Sequence, residues 1–337
     1  MSSKIAIFSH KGGVSKTTTA YHLAWMLTEF DKKVLLVDSD SQCNLSKIAL
    51  GEEGFDQFYL SKPDCNLKSY LSPAFKAQPV SIKAAELIPV KNNSNLFIIP
   101  GSFEITEYDV SLGVSFTLSE TLTSLKNLPG SFNALIEKTV EAHAIDYVII
   151  DMNPSLSAIN QALLVSSDYF IVPAAPDNFS AMAVKSLSKT LPKWEQWAKK
   201  ARVAFSDAFY PLPKNTPKFI GTVVQRYNIR DGKPTQANQK LIDELNQLIT
   251  TLFVPEIKKI GMTLNDEQYD FENYCLSLLP DFQGLNPIYQ KLGIPVYALT
   301  DEQIGQTGTV LKKYQTMRDD FYSKFSNFTK KVIELTS

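Results

Sequence analysis

Lys4-Ile-Ala-Ile-Phe-Ser9 and the residues that follow it, His10-Lys-Gly-Gly-Val-Ser-Lys-Thr-Thr18, decide how this chain is read. The first run is short, apolar and alternating, as a strand requires. Two glycines, a lysine and two threonines come next, and from Ala20 to Phe30 the apolar residues fall at helical spacing. Strand, glycine loop and helix start together make a phosphate cradle. Glycines let backbone N–H groups approach anionic oxygens, and the helix N-terminus adds the positive end of its dipole. Gly12, Gly13, Val14, Ser15 and Thr18 build the cradle. Lys16 is placed to reach the β- and γ-phosphates of a nucleotide, with the Thr17 hydroxyl on Mg²⁺.

The loop departs from the common G-x-x-x-x-G-K-[ST] form, because His10 and Ser15 stand at its two glycine positions. Ser15 brings a Cβ where a permitted φ is needed. Lys11, just ahead of the glycine pair, completes the pattern K-G-G-x-x-K-T-T. That pattern resembles the deviant Walker A motif of the ParA/MinD family of P-loop ATPases. The resemblance implies an ATP-dependent homodimer in which Lys11 crosses the interface to touch the partner's nucleotide.

Further along, Lys33-Val-Leu-Leu-Val-Asp38 reads as a buried strand, and strand–helix–strand in so few residues implies a parallel βαβ unit. The strand runs into Asp38-Ser-Asp40-Ser-Gln-Cys-Asn44 at the carboxyl edge, where parallel sheets place their ligands. By itself this segment also suits an Asx turn before a helix. The family's next motif has the form D-x-D-x-Q-x-N. The match implies that Asp40 positions the attacking water and that Asp38 lies near Mg²⁺. Asp146-Tyr-Val-Ile-Ile-Asp151 has a Walker B shape, with Asp151 beside the metal-bound water. Met152-Asn-Pro-Ser155 stands at the family's switch segment, with Asn153 in place of a usual proline.

The remaining strands are expected at Asn95–Pro100, Tyr169–Pro173, Lys218–Val224 and Ile294–Leu299, the last by resemblance to the family's late strand. Gln225, just after one of them, is by resemblance a candidate for the adenine pocket. Helices are expected at Phe132–Ala144, Ala158–Ser166, Asn178–Lys200 with an interruption near Pro192, and Pro234–Phe253. The fold class is therefore α/β: a doubly wound, mainly parallel sheet of the P-loop NTPase type. One domain spans 1–337, with insertions near 51–95, 200–217 and 254–290. The first of these carries four prolines without sustained period and reads as loops and short helices.

Two stretches bear on partners. The Asn178–Lys200 helix shows an apolar side of Phe179, Met182, Leu187, Leu191 and Trp194, with Lys185, Lys189 and Lys193 on another face. Six basic residues and one acidic fall between 185 and 202. These lysines are either a solvated face or a stripe that contacts DNA phosphates. A second basic segment lies at 312–331. From Gly308 to Leu335, Val310, Tyr314, Met317, Phe321, Phe325, Phe328, Val332 and Leu335 make one apolar stripe of an amphipathic helix. Its continuity favours packing on the sheet over a membrane surface.

Composition limits the alternatives. The 337 residues are 44% hydrophobic and 20% charged, ordinary for a globular protein, and the net charge of −1 means that any DNA affinity rests on local patches. Cys43, Cys65 and Cys275 are scattered, which suits a reducing cytoplasm and argues against a disulfide framework or zinc site. They also fail to match the cluster ligands of an iron-protein relative. A kinase on the same loop often carries a tyrosine-rich tail, whereas Tyr314 and Tyr322 are expected on the core side of the last helix. No signal peptide or membrane-spanning run is visible. With no segment ahead of the first strand to form a helix-turn-helix, site-specific operator binding is not expected. The expected function is an ATPase switch, using ATP and Mg²⁺, that binds DNA non-specifically and partitions it at the nucleoid. A ParB-like activator would stimulate hydrolysis. The alternative is a MinD-like positioning ATPase acting on a membrane or protein cargo.

Overall fold

The computed structural model describes residues 2–118, 123–230 and 232–337. The first half of the chain contributes β1 (Ser3–Ile7), α1 (Lys16–Glu29), β2 (Val34–Asp38), α2 (Asn44–Leu50), α3 (Glu52–Ser61) and α4 (Leu67–Phe75). It continues with β3 (Ile88–Pro89), β4 (Leu96–Ile99), α5 (Glu107–Leu118), α6 (Leu128–His143) and β5 (Tyr147–Asp151). The second half contributes α7 (Ala158–Val165), β6 (Tyr169–Ala174), α8 (Asn178–Ala204), β7 (Lys218–Tyr227) and a small antiparallel pair, β8 (Ile229–Arg230) with β9 (Lys233–Pro234). It ends with α9 (Gln236–Leu248), α10 (Val254–Lys258), β10 (Cys275–Pro280), α11 (Leu285–Leu292), α12 (Asp301–Ile304) and α13 (Gly308–Thr336).

Eight strands form one sheet in the order β10-β7-β6-β1-β5-β2-β4-β3, parallel except for β3 against β4. Its central strands are apolar on both faces, as parallel strands covered by helices on two sides must be. Ala6, Phe8, Val148, Ile150, Phe170 and Val172 face a core closed by residues of α6, α7 and α8. Ile5, Ile7, Val34, Leu36, Ile149 and Ile171 face the opposite core, closed by α1 and α13. Phe321, Phe325, Phe328, Val332 and Leu335 of α13 are all buried there, so its stripe is core.

Several expectations change. Ile294–Leu299 is not a strand: it is an irregular segment in which the Val296 N–H donates to His22 Nε2 (3.2 Å) and the Tyr297 hydroxyl to His22 O (2.8 Å). Pro295 already weakens that run as a strand, since proline cannot complete a ladder. One edge strand of the sheet is β10, inside residues 254–290 expected as an insertion. Pro192 does not interrupt α8, a continuous helix of 27 residues. Phe179 and Met182 are 70% and 64% exposed, so the apolar side of α8 lacks them. On α13, Val310 and Tyr322 are also exposed. Arg202 does not belong to a free basic face either: it is bonded to the fully buried Glu195 at 2.7 Å.

Candidate functional site

The loop between β1 and α1 keeps the geometry of a glycine loop although His10 and Ser15 replace the two glycines of the common form. Gly13 has φ 74° and Ser15 has φ 60°, ψ 35°, so the serine occupies the left-handed region itself. An ordinary residue there carries about 1–2 kcal/mol of strain. The helix starts directly after it, with Thr19 N–H donating to Ser15 O at 2.8 Å. Lys16 is buried and its Nζ donates to Lys11 O at 2.9 Å, curling back over the loop. Burial lowers the lysine's pKa, an effect partly opposed by Asp151 and Asp40.

Sheet register brings the acids to the same edge. Asp151 pairs in register with Ile7 on one side and Asp38 on the other. Their environments differ. Asp38 accepts from Asp40 N–H (3.2 Å), Ser46 N–H (2.8 Å) and the Ser46 hydroxyl (2.6 Å), so its oxygens already tie β2 to α2. Asp151 is 1% exposed and neither carboxylate oxygen has a partner. Burial, reinforced by Asp38, pushes its carboxyl up to about 8, while burial raises Asp38 to about 6. An unpaired buried carboxylate is costly, which suits a cation site.

No group of three His, Cys, Asp or Glu residues gathers as a metal cage among the described residues. Mg²⁺ does not need one, because it is commonly held by one or two carboxylates plus substrate phosphates. The residues present fit it: Asp151 and the neighbouring Thr17 would hold it beside the loop, with Asp38 behind them. Bound there, Mg²⁺ would neutralise phosphate charge.

The loop opens onto a cavity of about 830 Å³, with Asp38 and Asp151 buried behind its lining. Gly12, Gly13, Ser15, Lys16, Thr17, Thr18, Asp40 and Gln225 all line it. Val14 is buried beneath the loop. Asp40 keeps one oxygen on Gln42 N–H (3.0 Å). Gln225 donates its amide to the Thr19 hydroxyl, which fixes β7 against α1. Lys11 points elsewhere: it forms an ion pair with Asp177 and reaches the Ser180 hydroxyl at 3.2 Å. Asp177 is the N-cap of α8, accepting from Ser180 N–H at 2.7 Å. Lys185, Lys189 and Lys193 stand apart from the cavity, exposed along that same helix.

Three features escape a reading of the sequence. Asp177-Asn-Phe-Ser180 has the spacing of an N-cap and was the most accessible of them. Arg226 was not: it is the extra residue of a β-bulge, since Gln225 pairs with Leu279 and Tyr227 with Pro280. Its φ of 62° throws the guanidinium over the loop, where Nη1 donates to Gly13 O at 3.0 Å. Bulges commonly re-aim a side chain beside a functional site. The far wall, with Asp281, Phe282, Asn286, Tyr289 and Gln290, comes from a segment without any recognisable motif.

A family model described as an AAA domain matches residues 2–203. The chain belongs to the ParA/MinD-like P-loop ATPases. It is 28% identical over 268 residues to an uncharacterized protein of Methanocaldococcus jannaschii, covering 80% of this chain and 88% of that one. A ParA family protein of Chlamydia muridarum is 32% identical over 187 residues, 55% of this chain and 63% of the relative. Among solved structures, a Corynebacterium diphtheriae protein superposes with TM-score 0.72 at 17% identity, covering 99% of this chain and 98% of that one. Apo McdA of a cyanobacterium of the genus Cyanothece gives 0.63 at 16% identity, with full coverage of both. The pNOB8 ParA bound to nonspecific DNA gives 0.58 at 19% identity, covering 99% and 98%. At these identities the structural likeness establishes the fold.

Proposed function

We propose that this chain is an ATP-driven switch that dimerises around nucleotide, binds DNA without regard to sequence, and positions a cargo along it. The supporting observation is the continuous connection from Lys11 through Asp177 into α8. Nucleotide binds in the loop with Lys16 on its terminal phosphates. Asp40 orients the attacking water, and Mg²⁺ sits by Thr17 and Asp151. Lys11 leaves Asp177 to reach a partner's nucleotide, which links dimer formation to the start of the helix carrying Lys185, Lys189 and Lys193. Among the described residues these three form no ion pair, whereas the 312–331 segment is largely engaged. Arg318 bonds Asp301, Lys324 pairs with Asp320, and Lys331 donates to Leu276 O. A ParB-like activator sets the rate of hydrolysis, and the ATP state resides on the nucleoid.

A second reading, positioning on a protein surface, draws on Leu156, Phe179 and Met182, apolar residues exposed after the switch segment and at the start of α8. Membrane binding has less support: no described helix is long and apolar enough to cross a bilayer, and the stripe of α13 is largely packed.

The test is a salt titration of duplex binding with a non-hydrolysed ATP analogue. Each phosphate contact contributes about 0.9 to the log–log slope, so replacing all three lysines should lower it by up to about three. Lys11→Ala should still bind ATP yet remain monomeric and off DNA. Duplex binding that ignores ATP, or its absence at low salt, would remove DNA from the proposal in favour of the protein cargo.

A further inference from the structure

Tyr289 on α11 is fully buried, and its hydroxyl makes no hydrogen bond although the Thr18 side chain lies beside it. The ring is held on three sides, 4.7 Å from His22, 6.1 Å from Tyr21 and 6.4 Å from Phe282. The backbone is fixed as well, since Gly293 N–H donates to Tyr289 O at 2.9 Å. Buried hydroxyls are almost always paired, and one left unmade carries a desolvation penalty. Here a rigid phenol with an unused donor forms part of the cavity wall. Burial raises its pKa, so it remains a donor through the physiological range.

Resting on the nucleotide reading above, we propose that the Tyr289 hydroxyl donates to the α-phosphate of the bound nucleotide. Thr18 is the third residue of α1, one of the positions whose N–H groups have no partner within the helix. A phosphate chain laid over this N-terminus, with its terminal phosphates at Lys16, brings its ribose end toward Thr18. Tyr289 therefore meets the phosphate chain beside Thr18, at the first turn of α1. It supplies a neutral hydrogen bond where the loop supplies backbone N–H groups and charge.

The probe is Tyr289→Phe, which removes only the oxygen. ATP, ADP and 2′-deoxy-ATP affinities are measured by calorimetry, and melting is followed with and without nucleotide. All three affinities should fall by the same factor, about tenfold for one hydrogen bond to a charged acceptor. The nucleotide-free variant should melt no lower than wild type, because the lost hydroxyl had no partner. A loss shared by ATP and 2′-deoxy-ATP but absent with ADP would place the contact at the γ-phosphate, and a loss absent only with 2′-deoxy-ATP would place it on the ribose. Either result overturns the assignment, as does a destabilised nucleotide-free variant. Unchanged affinities with normal wild-type binding overturn this proposal alone. Failure of wild type to bind any of the nucleotides overturns the functional reading with it.

Discussion

The two walls of the cavity are built on opposite principles. The loop wall is local: nine consecutive residues, His10–Thr18, carry its charge, its strained backbone and its helix terminus. The far wall is assembled from Arg226 at a bulge in β7, Pro280 and Asp281 at the end of β10, and residues of α11. A local wall must hold anionic oxygens with backbone N–H groups, so its sequence is narrowly constrained. A distant wall needs only shape and a few donors, which many sequences supply. Chemistry common to a family can therefore reside in the first wall while individual chains differ in the second.

The sharpest challenge to this division is to the loop wall. On the proposed function, Lys16→Ala removes the buried ammonium assigned to the terminal phosphates and should reduce ATP affinity by about a hundredfold, the scale of a charge-assisted contact in a sheltered site. Asp40→Ala leaves the cradle intact. It should bind ATP normally and sediment as a dimer while hydrolysis falls about a hundredfold. Nucleotide titration, sedimentation in ATP and phosphate release distinguish the two. Wild-type hydrolysis by the Asp40 variant would move the water to another residue, and normal ATP binding by the Lys16 variant would dissolve the contrast between the walls.

What joins the walls is a buried histidine. His22 Nδ1 lies 2.9 Å from Thr18 O, its Nε2 accepts from Val296 N–H, and its ring stacks 4.9 Å from Phe325. Two partners of opposite sense fix a neutral ring, with Nδ1 donating. Burial lowers its pKa to about 3. An unfolded chain protonates this histidine near the ordinary 6.5, so between 6.5 and 3 the unfolded state binds more protons. Stability from this group is complete above about 6.5 and drains as pH falls, by about 1.4 kcal/mol per unit. Denaturant melts between pH 7 and pH 5 should show it, and His22→Gln should flatten that dependence. An equal acid loss in the variant would assign it to other groups.

His22 also shows where the sequence was legible. Strands β1, β2, β4, β5, β6 and most of β7 were found because buried parallel strands read as continuous apolar runs ending at turns or acids. Ile294–Leu299 met the same description and is not a strand. Its apolar residues fill the space under α1, and the backbone bonds His22 instead of a neighbouring strand. Cys275–Pro280 was missed because an edge strand beside a bulge carries a shorter and less regular pattern. The loop lysines and threonines, with Asp38, Asp40 and Asp151, were legible because charge and glycine have few other reasons to alternate with strands. Arg226 and Tyr289 reach the cavity wall through a positive φ and a packed ring, neither of which composition reveals.

The smallest effect concerns Ser15, a position where the loop wall departs from its own rule. Its φ of 60° is a conformation glycine adopts freely and serine does not. The departure offers no compensating contact in the cap, because the serine side chain makes no capping hydrogen bond to α1. Ser15→Gly should relieve roughly 1 kcal/mol of left-handed strain, reduced by the greater freedom of glycine in the unfolded chain. The net expectation is a gain of a few tenths of a kcal/mol in the nucleotide-free protein. If the serine is only tolerated, ATP affinity and turnover should change by less than about twofold, within the few tenths of a kcal/mol expected for the fold. Denaturant titration and phosphate release on the same preparation separate the cases. Lower stability in Ser15→Gly would mean that the serine stiffens a loop that glycine leaves loose. A large change in turnover would show that its hydroxyl takes part in binding, and the departure from glycine in the loop wall would then serve function.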